Sequence, residues 1–390
     1  MMETLIPADN HFAVMGGLFV IAAIGFLAEK TRIGAVLTGA VVAIFLAIIA
    51  ANLRIIPQSA PAYSFVFSYF VPVLIPLFLL KADLKKIFFE TGRMTLAFGL
   101  AALATVIGAI VAVGVLDFGT DERGIAGVFT ATYIGGSVNF AALLDITGLR
   151  ENADFVSAAT AVDNLASGLF LAALALLPGW RWLANRFPAR DHTKGEVEAD
   201  KGGKATAATL TITIAFALTI VALGDALTGL LGSLLNSMGV EDAARQAGNW
   251  RYALITILTL IPATLMPKTM ARLHGGYELG IGLAFVFFAA IAAGADIPSL
   301  LQTAPLLMAL VLILLLVHGI VLFGLGSLLR LSLPELIIAS NAAILGATTA
   351  PALAAAKGWK DLVTPGVLVG VFGYALGTII ATIVYQFWPG

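Results

Sequence analysis

The chain has 390 residues, of which 60% are hydrophobic and 12% are charged, so it is far more apolar than a soluble domain. Its 22 basic residues are balanced by 23 acidic ones, which excludes the positive footprint of a nucleic-acid-binding protein. With no cysteine and four histidines, the sequence also excludes a disulfide framework, a thiolate nucleophile and a zinc site of Cys and His ligands.

Apolar segments follow one another along the chain, each about as long as a helix that crosses a bilayer. The first is not interpreted as a cleaved signal peptide, because Glu29 and Lys30 lead directly into the second. The pattern predicts an all-α polytopic membrane protein. In chain order the segments are 11–29, 33–51, 64–80, 94–116, 124–147, 153–178, 207–225, 251–268, 277–293, 303–328, 335–356 and 362–388.

A polar stretch, 179–206, divides these segments into two sets of six and predicts a solvated cytoplasmic linker. When the second set is aligned on the first, Gly346 falls on Gly136, and other identities keep the same register. The sequence therefore predicts two repeats, 1–178 and 207–390, joined by the linker.

The basic residues predict how these repeats cross the membrane, because cytoplasmic loops carry an excess of Lys and Arg. If every segment crosses, the 22 basic residues divide evenly between the two sides. If the fifth and eleventh segments re-enter instead, most of them lie in the cytoplasm. This arrangement gives each repeat five crossing helices and one broken or re-entrant element. The repeats are then inverted, as in secondary transporters, and both termini lie outside a bacterial inner membrane.

The fifth and eleventh segments contain the polar motifs YIGGSVNF and SNAAILGATTAPA. Such clusters of Gly, Pro, hydroxyl and amide residues favour unwound backbone, whose helix N-termini suit an anion and whose oxygens suit sodium. Alternatively, the small residues only allow close helix packing. The expected substrate contacts are Thr132, Gly135, Gly136, Asn341, Gly346 and Tyr374. The expected ion ligands are Ser137, Asn139, Thr348 and Thr349.

Asp163 lies near the middle of the sixth segment, where a charge costs at least about 2.5–3.5 kcal/mol, so it is a candidate functional residue. Asn164 adds a neutral ligand, and we expect that sodium could bind at Asp163, Asn164 and Ser137. Alternatively, Asp163 only caps or pairs with neighbouring backbone. His318, in the tenth segment, is a candidate proton carrier or a buried structural residue.

The two motifs, with AVDNLASG after the first, resemble the YjcL-like family of bacterial and plastid membrane proteins. That family is grouped with the cation:proton antiporter and anion transporter superfamily, beside bile-acid:sodium and glutamate:sodium symporters. The resemblance implies a mobile core of 124–178 and 335–388 moving against a scaffold. It also implies that Asp163 and Asn164 match the cation-binding pair of antiporters, here in reversed order. The broken elements follow neither symporter pattern fully.

We therefore expect a secondary transporter of a small, anionic organic solute, coupled to sodium or protons, with no other cofactor. A cation:proton antiporter that uses Asp163 is the alternative. An intramembrane enzyme is disfavoured, because the sequence has neither the paired aspartates of intramembrane proteases nor the GxSG serine of rhomboids. The expected partners are the solute and the lipid bilayer, without nucleic acid, and a homodimer is compatible with the sequence.

Overall fold

A computed structural model describes residues 4–31, 39–193, 204–241, 244, 247–295 and 297–388, and within these ranges it is helical with no strand. The longer helices are α1 His11–Glu29, α2 Gly39–Asn52, α3 Pro61–Leu79, α4 Gly92–Val115, α5 Glu122–Thr147, α6 Ala153–Leu176, α7 Ala207–Ser237, α8 Arg251–Leu265, α9 Gly276–Ala292, α10 Ile297–Leu328, α11 Leu333–Ile344, α12 Thr349–Ala356 and α13 Val363–Gln386. Short helical turns cover Lys86–Glu90, Gly119–Asp121, Leu149–Glu151, Leu177–Gly179, Arg181–Ala184, Ala247–Trp250, Pro267–Met270 and Lys360–Leu362.

The helices have the lengths and surfaces of membrane-embedded segments. Among the described residues, eight helical stretches are long and apolar enough to cross a membrane, and four more are apolar and 10–17 residues long. Exposed apolar side chains such as Phe19, Leu218 and Leu316 cover their outer faces. Hydrocarbon favours helices because each backbone N–H and C=O is then paired within its own segment. Each predicted apolar segment overlaps one of these stretches, although residues 33–38 of the second segment lie outside the described residues. This overlap confirms the all-α polytopic class.

The chain forms two compact units, and each unit takes segments from both halves of the sequence. The first unit comprises Met1–Leu74, Gly148–Leu169 and Glu278–Leu312, and the second comprises Ile75–Thr147, Phe170–Tyr277 and Ile313–Gly390. The predicted core segment 124–178 is therefore divided between the units, because contacts across the sequence outweigh contacts along it. The inverted relation of the two halves stays a prediction.

The first unit is held together by apolar packing and by a part-buried polar contact between distant segments. The rings of Phe26 and Phe285 stack with their centroids 4.2 Å apart. The side-chain amide of Asn52, at the end of α2, donates to the carbonyl oxygen of Ala295 at 2.9 Å. Both contacts join the N-terminal helices of this unit to its third segment.

In the second unit, α5 is almost entirely buried and packs along α13, while α4 and α11 lie beside them. Part of the predicted linker also belongs to this core. Phe187 is buried against Phe323, and the buried ring of His192 is hydrogen bonded to Ser332 and Asp361. The linker is therefore not solvated throughout, because two of its side chains find partners in the second half of the chain. Its residues 194–203 lie outside the described residues.

Candidate functional site at two helix breaks

The first break lies inside α5, at Gly136. This residue has φ 70° and ψ −163°, although the helix continues on both sides of it. Residues with a Cβ rarely adopt a positive φ, so the local geometry requires glycine. Ser137, the next residue, is exposed, whereas Gly135 and Val138 are buried. The unwound backbone predicted from YIGGSVNF is confirmed.

The second break separates α11 from α12 and is centred on Gly346, whose φ is 96°. The backbone N–H groups of Leu345 and Gly346 both donate to the carbonyl oxygen of Asn341. These two hydrogen bonds close the last turn of α11. Thr348 is exposed before α12 begins at Thr349. This break, predicted from SNAAILGATTAPA, is also confirmed.

The two breaks meet at one side chain, Tyr374 of α13. A Cβ placed on Gly136 would lie 3.9 Å from Cε1 of Tyr374, and one placed on Gly346 would lie 3.8 Å from its hydroxyl oxygen. That hydroxyl is hydrogen bonded to Tyr277 and to the backbone of Ala347. The structure thus brings together Gly136, Gly346 and Tyr374, three residues that the sequence assigned to substrate.

Asn139, three residues after the first break, is fully buried and hydrogen bonded at both ends of its amide. Its Nδ2 donates to the carbonyl oxygen of Gly373 at 3.1 Å, and its Oδ1 accepts from the hydroxyl of Thr378 at 3.0 Å. A Cβ on Gly135 or Gly377 would overlap this amide nitrogen. Asn139 therefore holds α5 against α13, which is a packing role. Its assignment as an ion ligand stays a prediction.

Asn341, five residues before Gly346, is fully buried, but only one end of its side-chain amide is hydrogen bonded. Its Oδ1 accepts from the hydroxyl of Thr349 at 2.6 Å, whereas its Nδ2 has no hydrogen-bond partner in the described part of the chain. A buried donor without an acceptor costs about 1–3 kcal/mol, so such an atom is a candidate ligand contact. Thr132, on α5 one turn before Gly136, is buried as well.

Asp163 belongs to the first unit, whereas the two breaks belong to the second. The aspartate is half-buried on α6, and its Oδ1 accepts from the hydroxyl of Ser167 at 3.2 Å. The side chain of Asn164 lies outside the described residues. Among the described residues, no group of three or more His, Cys, Asp or Glu side chains is arranged to hold a metal ion. The sodium site at Asp163, Asn164 and Ser137 stays a prediction.

His318 of α10 is fully buried and uses both of its ring nitrogens. Its Nδ1 is 3.0 Å from the hydroxyl of Thr105, and its Nε2 is 2.9 Å from the hydroxyl of Ser340. The hydroxyl of Thr105 is also 3.2 Å from the carbonyl oxygen of Tyr133. These contacts join α4, α5, α10 and α11. The geometry therefore favours the interpretation of His318 as a buried structural residue over that of a proton carrier.

Sequence reasoning missed Thr378, Gly377 and Thr105, whose partners lie far away in the chain. Gly373 and Gly377 are four residues apart on α13, and this small-xxx-small spacing typically marks close helix packing in membranes. That spacing could have identified the α13 face that receives Asn139. Nothing in the sequence near Thr105 points to His318.

Comparison with known proteins places the chain among membrane proteins. Residues 16–388 match the family model described as "Protein of unknown function (DUF819)". The chain is 30% identical over 392 residues to "Uncharacterized membrane protein YjcL" of Bacillus subtilis (strain 168), and the alignment covers 98% of each chain.

Proposed function

The chain belongs to the DUF819 family and is similar to YjcL along its length, and from the geometry of its helix breaks we propose that it is a secondary active transporter of a small organic anion. The observation that carries this proposal is the meeting of two broken helices at Tyr374. Lipid-facing helices have no need of such breaks. In membranes, irregular backbone is tolerated where protein buries it or where it lines a wet cavity.

The exposure of individual residues supports a wet site. Ser137 and Thr348 are exposed, although each follows a run of buried residues. Their hydroxyls, the backbone freed at each glycine and the N-terminus of α12 provide donors and acceptors for a polar solute. Tyr374 would lie beside that solute and contact both breaks.

Energetic coupling to sodium or protons is assigned to Asp163. It is a half-buried carboxylate on a membrane-spanning helix, and its Oδ1 accepts a hydrogen bond from the hydroxyl of Ser167. A carboxylate in such a place can neutralise a cation or carry a proton. Transport would proceed by alternating access, with 124–178 and 335–388 as the moving elements. This proposal includes no enzymatic activity.

The second candidate function is cation:proton antiport at Asp163 without an organic solute. It is favoured by the position of this carboxylate, whereas the neutral polar groups at the breaks favour solute transport. Both candidates place the protein in a bacterial inner membrane with its termini outside. The natural chain has no cysteine, so labelling of Lys85→Cys and Glu241→Cys from opposite faces of the membrane tests that orientation.

The deciding experiment is uptake into proteoliposomes that contain the purified full-length chain. Radiolabelled acetate, lactate, succinate and citrate would be offered under an inward sodium gradient, a proton gradient or neither. Gradient-dependent accumulation of at least one anion is expected. Proton release driven by sodium alone, with no anion accumulated, would favour the antiporter instead.

A further inference from the structure

The two breaks differ in how their asparagines are hydrogen bonded. At the first break, the Asn139 amide is paired at both its nitrogen and its oxygen, with Gly373 and Thr378. At the second, Asn341 is equally buried, but its Nδ2 finds no acceptor within the described residues. Buried amide nitrogens are nearly always paired in folded proteins, so this donor indicates an absent acceptor.

The geometry places that donor at the start of α12. The Oδ1 of Asn341 is bonded to the hydroxyl of Thr349, which is the first residue of α12, at 2.6 Å. The Nδ2 atom is therefore held beside the first turn of α12, where the partial charge of the helix is positive. Of the backbone groups in that turn, the N–H of Ala350 donates to the carbonyl oxygen of Gly346, and Pro351 has no N–H.

The chain around this donor carries no charge of its own. Between Glu335 and Lys357 the chain contains no charged residue. The Asn341 oxygen is already used by Thr349, so the amide presents its N–H and not its oxygen to a ligand. A cation is disfavoured by this arrangement, whereas a carboxylate can accept from the amide and from the helix N-terminus together.

We propose that the carboxylate of the transported solute binds at the second break, to Asn341 Nδ2 and the N-terminus of α12, and that the paired Asn139 amide near the first break is a structural contact between α5 and α13. This assignment rests on the proposed transport function and adds to it the chemical class of the solute and the place of its charged group. Thr349 is a positioning residue, because its hydroxyl orients the Asn341 amide.

The test compares Asn341→Asp with Asn52→Asp, whose amide nitrogen also donates to a carbonyl oxygen but lies away from the breaks, in the purified full-length protein. The probes are acetate and succinate, with acetamide and succinamide as neutral counterparts, and binding is measured by thermal shift and calorimetry. Asn341→Asp keeps the oxygen that faces Thr349 but loses the N–H donor. We expect carboxylate affinity to fall by about tenfold or more, as for loss of a hydrogen bond to a charged group.

Asn52→Asp should instead lower the melting temperature, because the Ala295 carbonyl oxygen loses its donor, and it should leave carboxylate affinity within about twofold. Unchanged carboxylate affinity in Asn341→Asp would overturn the assignment, as would equal binding of acetate and acetamide by the natural chain. If Asn341→Asp does not fold, Thr349→Val takes its place and should weaken carboxylate binding several-fold. Wild-type affinity in Thr349→Val would equally overturn the assignment.

Failure of this assignment can be separated from failure of the transport function. A natural chain that accumulates no anion in proteoliposomes contradicts the proposed function. A natural chain that accumulates an anion, together with an Asn341→Asp variant of unchanged KM, contradicts only the place of binding.

Discussion

Arg93 of α4 and Glu335 of α11 form an ion pair with two hydrogen bonds, Nε to Oε1 at 2.8 Å and Nη2 to Oε2 at 2.9 Å. The Glu335 carboxylate also accepts from the backbone N–H of Ser332, which caps α11. Because Glu335 is buried, these donors compensate the loss of water around its charge. The pair therefore fixes the start of the helix that leads to the second break.

Removing this charge should destabilise the protein measurably. In Glu335→Gln, the Arg93 guanidinium loses its charged partner, and we expect the free energy of unfolding to fall by about 1–2 kcal/mol. The matched control is Glu151→Gln, whose ion pair with Arg150 is exposed and joins adjacent residues, so its effect should stay below about 0.5 kcal/mol. Denaturation in detergent measures the free energy of unfolding of both variants. Equal losses would show that the Arg93 pair has no special role.

The two break glycines should be needed for transport beyond their effect on stability. Gly136 and Gly346 have φ values of 70° and 96°, and Gly148 and Gly358 have φ values of 76° and 74°. A Leu at any of the four positions adds backbone strain of about 1–3 kcal/mol, and most at Gly136, whose ψ of −163° lies in a region that only glycine adopts readily. Only the first two substitutions place a side chain beside Tyr374, since no described atom lies within 4 Å of a Cβ at the other two.

We therefore expect uptake to be lost in Gly136→Leu and Gly346→Leu, and to persist in the two control variants, with folded protein recovered for all four. Loss of folded protein in the first pair alone would favour the packing explanation of the motifs.

Close packing of α5 on α13 leads to a prediction with opposite signs at two glycines. In Gly377→Ala, the new methyl group would overlap the Asn139 amide, and we expect a loss of about 1–3 kcal/mol in stability. In Gly99→Ala, on α4, no described atom lies within 4 Å, and the higher helix propensity of alanine should add up to about 1 kcal/mol. Thermal unfolding of both variants checks the contrast, and a neutral Gly377→Ala would contradict it.

Substitution of Asp163 separates the roles proposed for it. In a sodium symporter, Asp163→Asn should abolish sodium-dependent melting and sodium-driven uptake, because the ion loses its counter-charge. In a proton-coupled carrier, exchange should survive while accumulation against a gradient is lost. Asp117→Asn, at an exposed site, is the control and should leave both assays unchanged. Unchanged sodium dependence in Asp163→Asn would exclude this residue as the coupling site.

The helices and the breaks could be predicted from the sequence because their causes are local. Apolar runs of membrane length specify the helices, and Gly136 and Gly346 lie in short clusters of polar and helix-breaking residues. The pairing of Asn139 with Gly373, or of Thr105 with His318, depends on contacts between segments more than 200 residues apart. Such pairs cannot be predicted from the composition of the chain or from the spacing of its residues.

The buried part of the linker was not predicted, for a related reason. The segment 179–206 is polar and charged, which is typical of a solvated connection. Its His192 is nevertheless buried, because Asp361 and Ser332 supply an acceptor and a hydroxyl for the two ring nitrogens. The sequence around His192 does not reveal these partners, because they belong to the other half of the chain. Without them, a polar residue in a charged segment is expected to face water.

The hydrogen bond between Asn139 and Gly373 has a consequence for biosynthesis. The ribosome adds 234 residues between them, so at about 5–20 residues per second α5 waits roughly 10–50 s for α13. Through that interval the Asn139 amide lacks the two partners that later bury it. We therefore expect this face of the nascent first half to stay without its α13 partner until translation ends.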